Sequence, residues 1–143
     1  MKNLTIALII ICGVFALNVE AQTSAPQKVR ANIPFAFNVG DKTLPAGVYT
    51  VSVVNPSSDR KALQIRSADG HASAIIQTTE TRGSLADTAK LMFRRYGDRY
   101  FFAQLEMASD ATLAAARSRT ERSTQRAFKQ LKRPTDNIAV AAF

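Results

Sequence analysis

The sequence has very little of the chemistry that most small catalytic and metal-binding sites use. Among 143 residues there are one Cys, one His and no Trp. A zinc site of Cys and His ligands, a disulfide-bonded scaffold and a Cys–His nucleophile pair all need more of these residues, so they are excluded. Neither a glycine-rich phosphate loop nor a G-x-S-x-G element is present. We therefore expect a protein that is not an enzyme and that holds no cofactor or metal.

Acidic residues are also scarce, with 11 Asp and Glu against 19 Lys and Arg and a formal net charge of +8. The carboxylates are scattered along the chain. Four of them flank predicted turns, and turn geometry explains these better than a pair of glycosidase carboxylates does. The lone His71 lies beside a predicted turn, where a histidine is normally solvated. These positions predict no catalytic residue.

The sequence has a single long apolar run, which covers residues 4–17. Lys2 precedes the run, and small residues stand one and three positions before the bond after Ala21. This layout predicts a secretory signal peptide over 1–21, followed by a polar lead-in over 22–28. A membrane anchor would need roughly 20 apolar residues. We therefore expect an exported protein, periplasmic or secreted, that is cut after Ala21.

The chain from 29 to 107 has the pattern of a β-domain. Residues 29–39 alternate apolar and polar side chains, which predicts one long strand with one buried face. Pro34 cannot donate to a strand ladder, so this strand is expected at a sheet edge or bulged at that residue. A Gly-Asp turn at 40–41 then leads towards a second strand over 49–53.

Two further Asp and Gly pairs predict hairpins with defined registers. The pair at 69–70 is expected to place Leu63 opposite Ile76, and Ile65 opposite Ala74. The pair at 97–98 is expected to place Phe93 opposite Phe102, Leu91 opposite Gln104, Met92 opposite Ala103, and Arg94 opposite Phe101. Both faces of this second hairpin carry apolar residues, so we expect it to be central or covered by another element. About six strands joined in this way predict an antiparallel meander, closed as a small barrel or folded as a sandwich.

Three segments carry a resemblance to known sequences. They are 33–40 (IPFAFNVG), 44–51 (LPAGVYTV) and 95–102 (RYGDRYFF). The chain resembles a group of small exported bacterial proteins of unknown function that share I-P-F-x-F-x-V-G, L-P-A-G-x-Y-x-V and Y-G-x-x-Y-F patterns. These are turn and core residues. The resemblance therefore implies export and a β fold, and it transfers no catalytic residue.

Residues 108–133 are predicted to form a basic helical segment. The stretch 111–116 is rich in alanine, the best helix former. Residues 118–121 match an S-x-x-E capping box. One kinked helix, or a loop followed by a helix, agrees with both signals, and Pro134 ends it. The segment 134–143 is expected to be a tail or an extra edge strand.

Charge is sorted by side on this predicted helix. Five basic residues spaced three or four apart form one side, which we call the basic stripe: Arg119, Arg122, Arg126, Lys129 and Arg133. The opposite side is less polar and comprises Thr120, Thr124, Ala127, Phe128 and Leu131. Either the stripe is merely solvated or it contacts an anion. Export disfavours nucleic acid, so the expected partners are an anionic envelope lipid or polymer, or another envelope protein.

The sequence leaves two functions open. In the first, a non-catalytic β-domain binds or decorates the cell envelope, and the basic stripe faces an anionic surface or partner. In the second, a small β-barrel carries an apolar ligand in a cavity lined by Phe35, Phe37, Phe93 and Phe102. Inward side chains fill most barrels of this size. A filled interior would therefore oppose the second function.

Overall fold

Tight turns and alternating apolar residues give a mainly β structure with one C-terminal helix. A computed structural model describes residues 28–143, so the predicted signal peptide and the lead-in up to residue 27 lie outside the described residues. The elements are β1 (Lys28–Ile33), β2 (Phe37–Val39), β3 (Lys42–Leu44), β4 (Gly47–Val53), β5 (Arg60–Ser67), β6 (Ser73–Arg82), β7 (Lys90–Tyr96), β8 (Arg99–Glu106), β9 (Ala111–Ala115), α1 (Arg119–Gln130) and β10 (Asp136–Ala141).

The strands form one mixed sheet in the order β1-β4-β5-β6-β9-β8-β2-β3, while β7 pairs with β8 and with β10. The pairing of β2 with β8 is parallel, and the other strand pairs of the described residues are antiparallel. The expected meander of about six strands is therefore corrected to a ten-stranded sheet, in which β6 lies beside β9 rather than β7. No helix within 28–143 is long and apolar enough to cross a membrane.

The prediction of a single strand over 29–39 is wrong, because the strand is interrupted at Pro34. Strand β1 ends at Ile33 and pairs with β4. Strand β2 begins at Phe37 and pairs with β3 and β8. Proline lacks the N–H that a continuous ladder would need, so the chain changes partners at this point. The predicted turn at 40–41 is confirmed, since Val39 and Lys42 flank it as paired residues.

The β5–β6 hairpin has the predicted register, with Leu63 opposite Ile76 and Ile65 opposite Ala74. Its loop is longer than the expected two residues. The closing hydrogen bond runs from the N–H of Ser67 to the carbonyl of Ala72 at 2.7 Å. Within the loop, the Asp69 carboxylate accepts from the Ser67 hydroxyl and from the His71 N–H. These local bonds stabilise a wider turn with the same centre.

The predicted register of the β7–β8 hairpin is correct near its turn and wrong further away. Phe93 lies opposite Phe102 and Arg94 opposite Phe101, as expected. A register shift between Met92 and Phe93 then moves the remaining partners by one residue. In place of the predicted pairs, Leu91 lies opposite Leu105, Met92 opposite Gln104 and Lys90 opposite Glu106. The shift brings two apolar side chains, Leu91 and Leu105, together on the buried face.

The main core lies on the buried face of this sheet and is rich in aromatic rings. Phe37 packs edge-to-face against Tyr49 and against Phe93, with ring centroids 5.1 and 5.3 Å apart. The Tyr49 hydroxyl donates to the carbonyl of Pro45 at 2.7 Å, which satisfies its polar end. Burial raises the pKa of Tyr49. These rings therefore pack in defined orientations.

The C-terminal strand β10 extends the sheet beyond β7. Strand β10 pairs with β7 along six residues, so the alternative of an extra strand describes 136–141 better than a tail does. Beyond it, Ala142 forms an isolated bridge with Ala31 of β1. Phe143 and Arg30 exchange two backbone hydrogen bonds of 2.8 and 3.2 Å. The chain that follows β10 thus contacts β1.

Candidate functional site

The candidate site is built on α1, which is shorter than the predicted helical segment. Of the two alternatives, a single kinked helix that includes residues before 118 is wrong, because Ala111–Ala115 forms β9. A helix that begins near residue 119 agrees with α1, although a strand rather than a loop precedes it. This strand lies between β6 and β8 and pairs with both. Leu113 and Ala115 are buried. Ladder bonds on both edges and this burial outweigh the preference of alanine for helix, which is a few tenths of a kcal/mol per residue relative to most other residues.

The helix start is fixed from two directions. The Ser118 side chain accepts from the N–H of Glu121 at 3.1 Å, as the capping box predicts. Asp41, in the β2–β3 turn, accepts from the N–H of Thr120 at 3.2 Å. Hydrogen bonds from the Thr120 side chain and backbone lower the pKa of Asp41. A distant hairpin thus caps the same helix terminus and holds it against the sheet.

The second half of the predicted capping box does not form, because the Glu121 side chain points to the sheet. Glu121 is 2% exposed, and its carboxylate forms a bidentate ion pair with Arg94, in which Nη2 lies 3.0 Å from Oε2. The Tyr96 hydroxyl donates to it at 3.1 Å. The Arg117 guanidinium lies 3.7 Å away. One buried carboxylate thus has two cations and a phenol as partners, as buried charge requires.

The rest of α1 docks through one hydroxyl and one ring. Arg99 donates to the Thr124 hydroxyl at 2.8 Å. The Phe128 ring packs edge-to-face on Tyr96 with a centroid distance of 6.0 Å. Gly97 allows this approach, because a Cβ there would lie only 2.9 Å from Phe128 Cζ. The turn itself also favours glycine, because φ at this residue is +61°. A turn glycine therefore also serves as the contact point for the helix.

Four of the five residues of the basic stripe lie on the far side of the helix from these contacts, whereas the placement of Arg133 on the helix is wrong, because α1 ends at Gln130. The docked residues Glu121, Thr124 and Phe128 share one side, and Arg126 is rotated about 160° from Phe128 at 100° per residue. All five residues of the basic stripe are exposed. Within 28–143, no salt bridge engages any of the five.

The predicted apolar side of the helix is only partly correct. Thr124 is buried and Phe128 is docked. Ala127 is exposed, and Leu131 is 64% exposed because it lies beyond the last residue of α1. The docked surface is therefore narrower and more polar than the sequence pattern indicates.

The four phenylalanines proposed to line a ligand cavity contact one another. Phe93 is central, with ring centroids 5.3 Å from Phe35, 5.3 Å from Phe37 and 6.0 Å from Phe102. Phe35 also stacks on Tyr100 at 3.9 Å. Phe37, Phe93 and Phe102 are buried. Rings at these distances fill the space between them, as a packed core does.

Sequence reasoning missed the cluster around Glu121. The Arg99 guanidinium lies over the Phe101 ring at 5.3 Å, and the Arg94 guanidinium binds Glu121. The partners are 27 residues apart and meet only when the helix docks. The one available signal is that Arg94 stands on the outward face of a hairpin whose two faces are both apolar.

On its exposed side, α1 offers guanidinium and ammonium groups, which can pair with anions. Among residues 28–143, no group of three or more His, Cys, Asp or Glu side chains could hold a metal ion. Comparison with known proteins gives no match, because no family model, no curated protein and no solved structure is significantly similar to the chain.

Proposed function

We propose that the chain is an exported, non-catalytic β-domain protein of the cell envelope, and that α1 presents its basic stripe to an anionic surface. One observation carries the proposal: four cations of α1 are exposed on the side of the helix away from its docked side, and Arg133 is exposed just beyond its end. The helix cannot rotate to hide them without breaking the contacts of Glu121 and Phe128. The exported location rests on the apolar run and cleavage pattern of residues 1–21.

The energetics of the basic stripe favour an anionic partner. Like charges three or four residues apart repel by a few tenths of a kcal/mol per pair. Near an anionic membrane surface, each Lys or Arg gains about 1 kcal/mol. Five such residues supply several kcal/mol, which supports reversible adsorption that salt weakens. Lipid headgroups match this chemistry, and an acidic envelope polymer or an acidic envelope protein is the alternative partner.

We further propose that the sheet closes as a small barrel. Its strands would follow the order β1-β4-β5-β6-β9-β8-β7-β10, and the contacts of Ala142 and Phe143 with β1 would complete the ring. Eight strands give an interior that side chains just fill. The packed rings around Phe93 are consistent with that, and they offer no support for the second function, the carriage of an apolar ligand.

Vesicle sedimentation tests the proposed function. The purified protein is mixed with phosphatidylcholine vesicles that contain or lack phosphatidylglycerol, at low and at moderate salt. We expect binding to the anionic vesicles alone, with release as salt rises. The triple variant Arg119→Gln, Arg122→Gln, Arg126→Gln should lose most of this binding. Truncation before α1 is unsuitable as a test, because it also removes β10, the partner of β7.

A matched control separates the helix from net charge. Lys42, Arg60 and Lys90 are also exposed cations, and they lie on three different strands. Their triple replacement by Gln lowers the net charge equally but leaves the basic stripe intact. If both triple variants lose binding to the same degree, the helix has no special role. If the unchanged protein binds no anionic vesicle, the proposal of a lipid surface is wrong.

A further inference from the structure

A second surface, on β1, β4 and β5 rather than on the β7–β8 hairpin that holds α1, has the chemistry of a binding site. Its residues are the outward-facing side chains of β1, β4 and β5, which we call the polar sheet face: Lys28, Arg30, Thr50, Ser52, Gln64 and Arg66. They alternate with buried residues such as Val51 and Ile65. Strand alternation therefore places all six on the side away from the core.

Backbone pairing arranges the polar sheet face in two rows across the strands. In the first row Arg30 pairs with Thr50, which pairs with Arg66. In the second row Lys28 pairs with Ser52, which pairs with Gln64. Each row spans three strands, or about 10 Å at the usual strand spacing. The first row thus has a cation at each end with Thr50 between them, and the second row has Lys28 at one end, followed by Ser52 and Gln64.

An exposed aromatic ring extends the first row. Phe143 pairs with Arg30 through two backbone hydrogen bonds, which places both side chains on the same face. The ring is 74% exposed, and the Arg30 guanidinium lies 5.9 Å from its centroid. An apolar plane therefore adjoins the charged and hydroxyl groups of the row.

A groove runs between this surface and the β5–β6 loop. Its volume is about 390 Å³, and its walls include Lys28, Ser52, Gln64 and Arg66. This volume lies within the usual range for small-molecule sites, about 300–1,000 Å³. Asp69 also borders the groove, but its carboxylate already accepts from Ser67 and His71. Within 28–143, no side-chain hydrogen bond or ion pair engages the polar groups of Thr50, Ser52, Gln64 or Arg66.

From this juxtaposition we propose that the polar sheet face binds an acidic oligosaccharide. Arg66 and Lys28 pair with carboxylates of the sugar chain, and arginine offers a two-pronged contact. Thr50, Ser52 and Gln64 both donate and accept, which suits sugar hydroxyls. The Phe143 ring offers a plane for the C–H face of a sugar. A bare phosphate would accept from the cations and the hydroxyls, but it would leave the acceptor capacity of Thr50, Ser52 and Gln64 and the Phe143 ring without a role.

Calorimetric titration of the purified protein tests this proposal with three probes. They are tetragalacturonate, neutral maltotetraose and inorganic phosphate. We expect tetragalacturonate to bind at least tenfold more tightly than the other two. Equal affinity for phosphate would show a site for any anion, and equal affinity for maltotetraose would show that the cations do not contribute to binding. Either result would overturn the proposal. Absence of tetragalacturonate binding would overturn the proposal.

Variants locate the binding. Arg66→Gln and, independently, Lys28→Gln should each weaken tetragalacturonate binding about tenfold, and Phe143→Ala should weaken it severalfold. Arg126→Gln removes the same charge from α1 and should leave the affinity unchanged. An equal loss in the Arg126 variant would show unspecific charge attraction and overturn the site. Vesicle binding, which depends on α1, provides a separate measurement, so this inference and the proposed function fail independently.

Discussion

The two faces of the β7–β8 hairpin are buried by different means. On one face, Phe93 and Phe102 belong to an aromatic core, and neither ring needs a polar partner. On the other face, Arg94 and Tyr96 hold the Glu121 carboxylate of α1, and Phe128 supplies a single ring contact. Burial of apolar side chains therefore stabilises the sheet, whereas directional hydrogen bonds and an ion pair hold the helix in one orientation. That orientation keeps the basic stripe outward.

The aromatic face should give the largest loss of stability. We expect Phe93→Ala to lower the free energy of unfolding by about 3 to 5 kcal/mol, because it removes the ring that contacts three others and leaves a cavity. Denaturant unfolding followed by circular dichroism measures the change. A loss below about 1 kcal/mol would mean that these rings do not form a tightly packed core.

The polar face should respond less strongly but more specifically. We expect Glu121→Ala to cost about 2 to 3 kcal/mol, since it leaves Arg94 without its buried partner. Amide hydrogen exchange should show faster exchange in α1, while the strands around Phe93 stay protected. If the helix amides exchange as slowly as before, the directional bonds do not anchor the helix.

The contact point at Gly97 sharpens the comparison further. Gly97→Ala should destabilise by about 1 to 2 kcal/mol, because alanine is strained at φ +61° and its Cβ would press on Phe128. The double variant Gly97→Ala, Phe128→Ala separates the two causes. We expect Gly97→Ala to cost less stability when Phe128 is already alanine, because the Cβ then has no ring to press on. An equal cost in both backgrounds would mean that only backbone strain acts. Thermal unfolding of the four proteins of this cycle gives the coupling.

The smallest effect concerns pH and the second cap. The pKa of Asp41 is lowered in the folded state by its bonds with Thr120. Its stabilising contribution is therefore present above the unfolded pKa, about 3.9, and is lost as pH falls through the lower folded value. Asp41→Asn should remove this part of the acid-induced loss. If the free energy of unfolding falls by the same amount in both proteins between neutral and acidic pH, the carboxylate has no capping role.

Sequence patterns predicted local pairing well and long-range packing poorly. The β5–β6 register followed from one turn and one apolar alternation, and Leu63 does face Ile76. For the alanine-rich stretch from 111, the local pattern allowed a helix or a loop but not a strand, because its strand character comes from the neighbours β6 and β8. The parallel contact of β2 with β8 was missed for the same reason.

The candidate site shows the same division. The spacing of the basic residues was sufficient to place four of them on one side of α1, but it also placed Arg133 there, which lies beyond the end of the helix. Glu121 was interpreted only as a capping residue, whereas its side chain is the main anchor of the helix. A capping pattern describes contacts within one turn, so it carries no information about a partner on another element.

The most direct test of the account is a measurement of which side of the protein faces an anionic membrane. A fluorophore is attached at Ser123→Cys, on the exposed part of α1, or at Ser58→Cys, in the exposed loop between β4 and β5. A lipid-linked quencher is placed in phosphatidylglycerol-containing vesicles. The account predicts strong quenching at position 123 and little at position 58. Stronger quenching at position 58, or equal quenching at both, would contradict the claim that the docked helix presents its basic stripe to the surface.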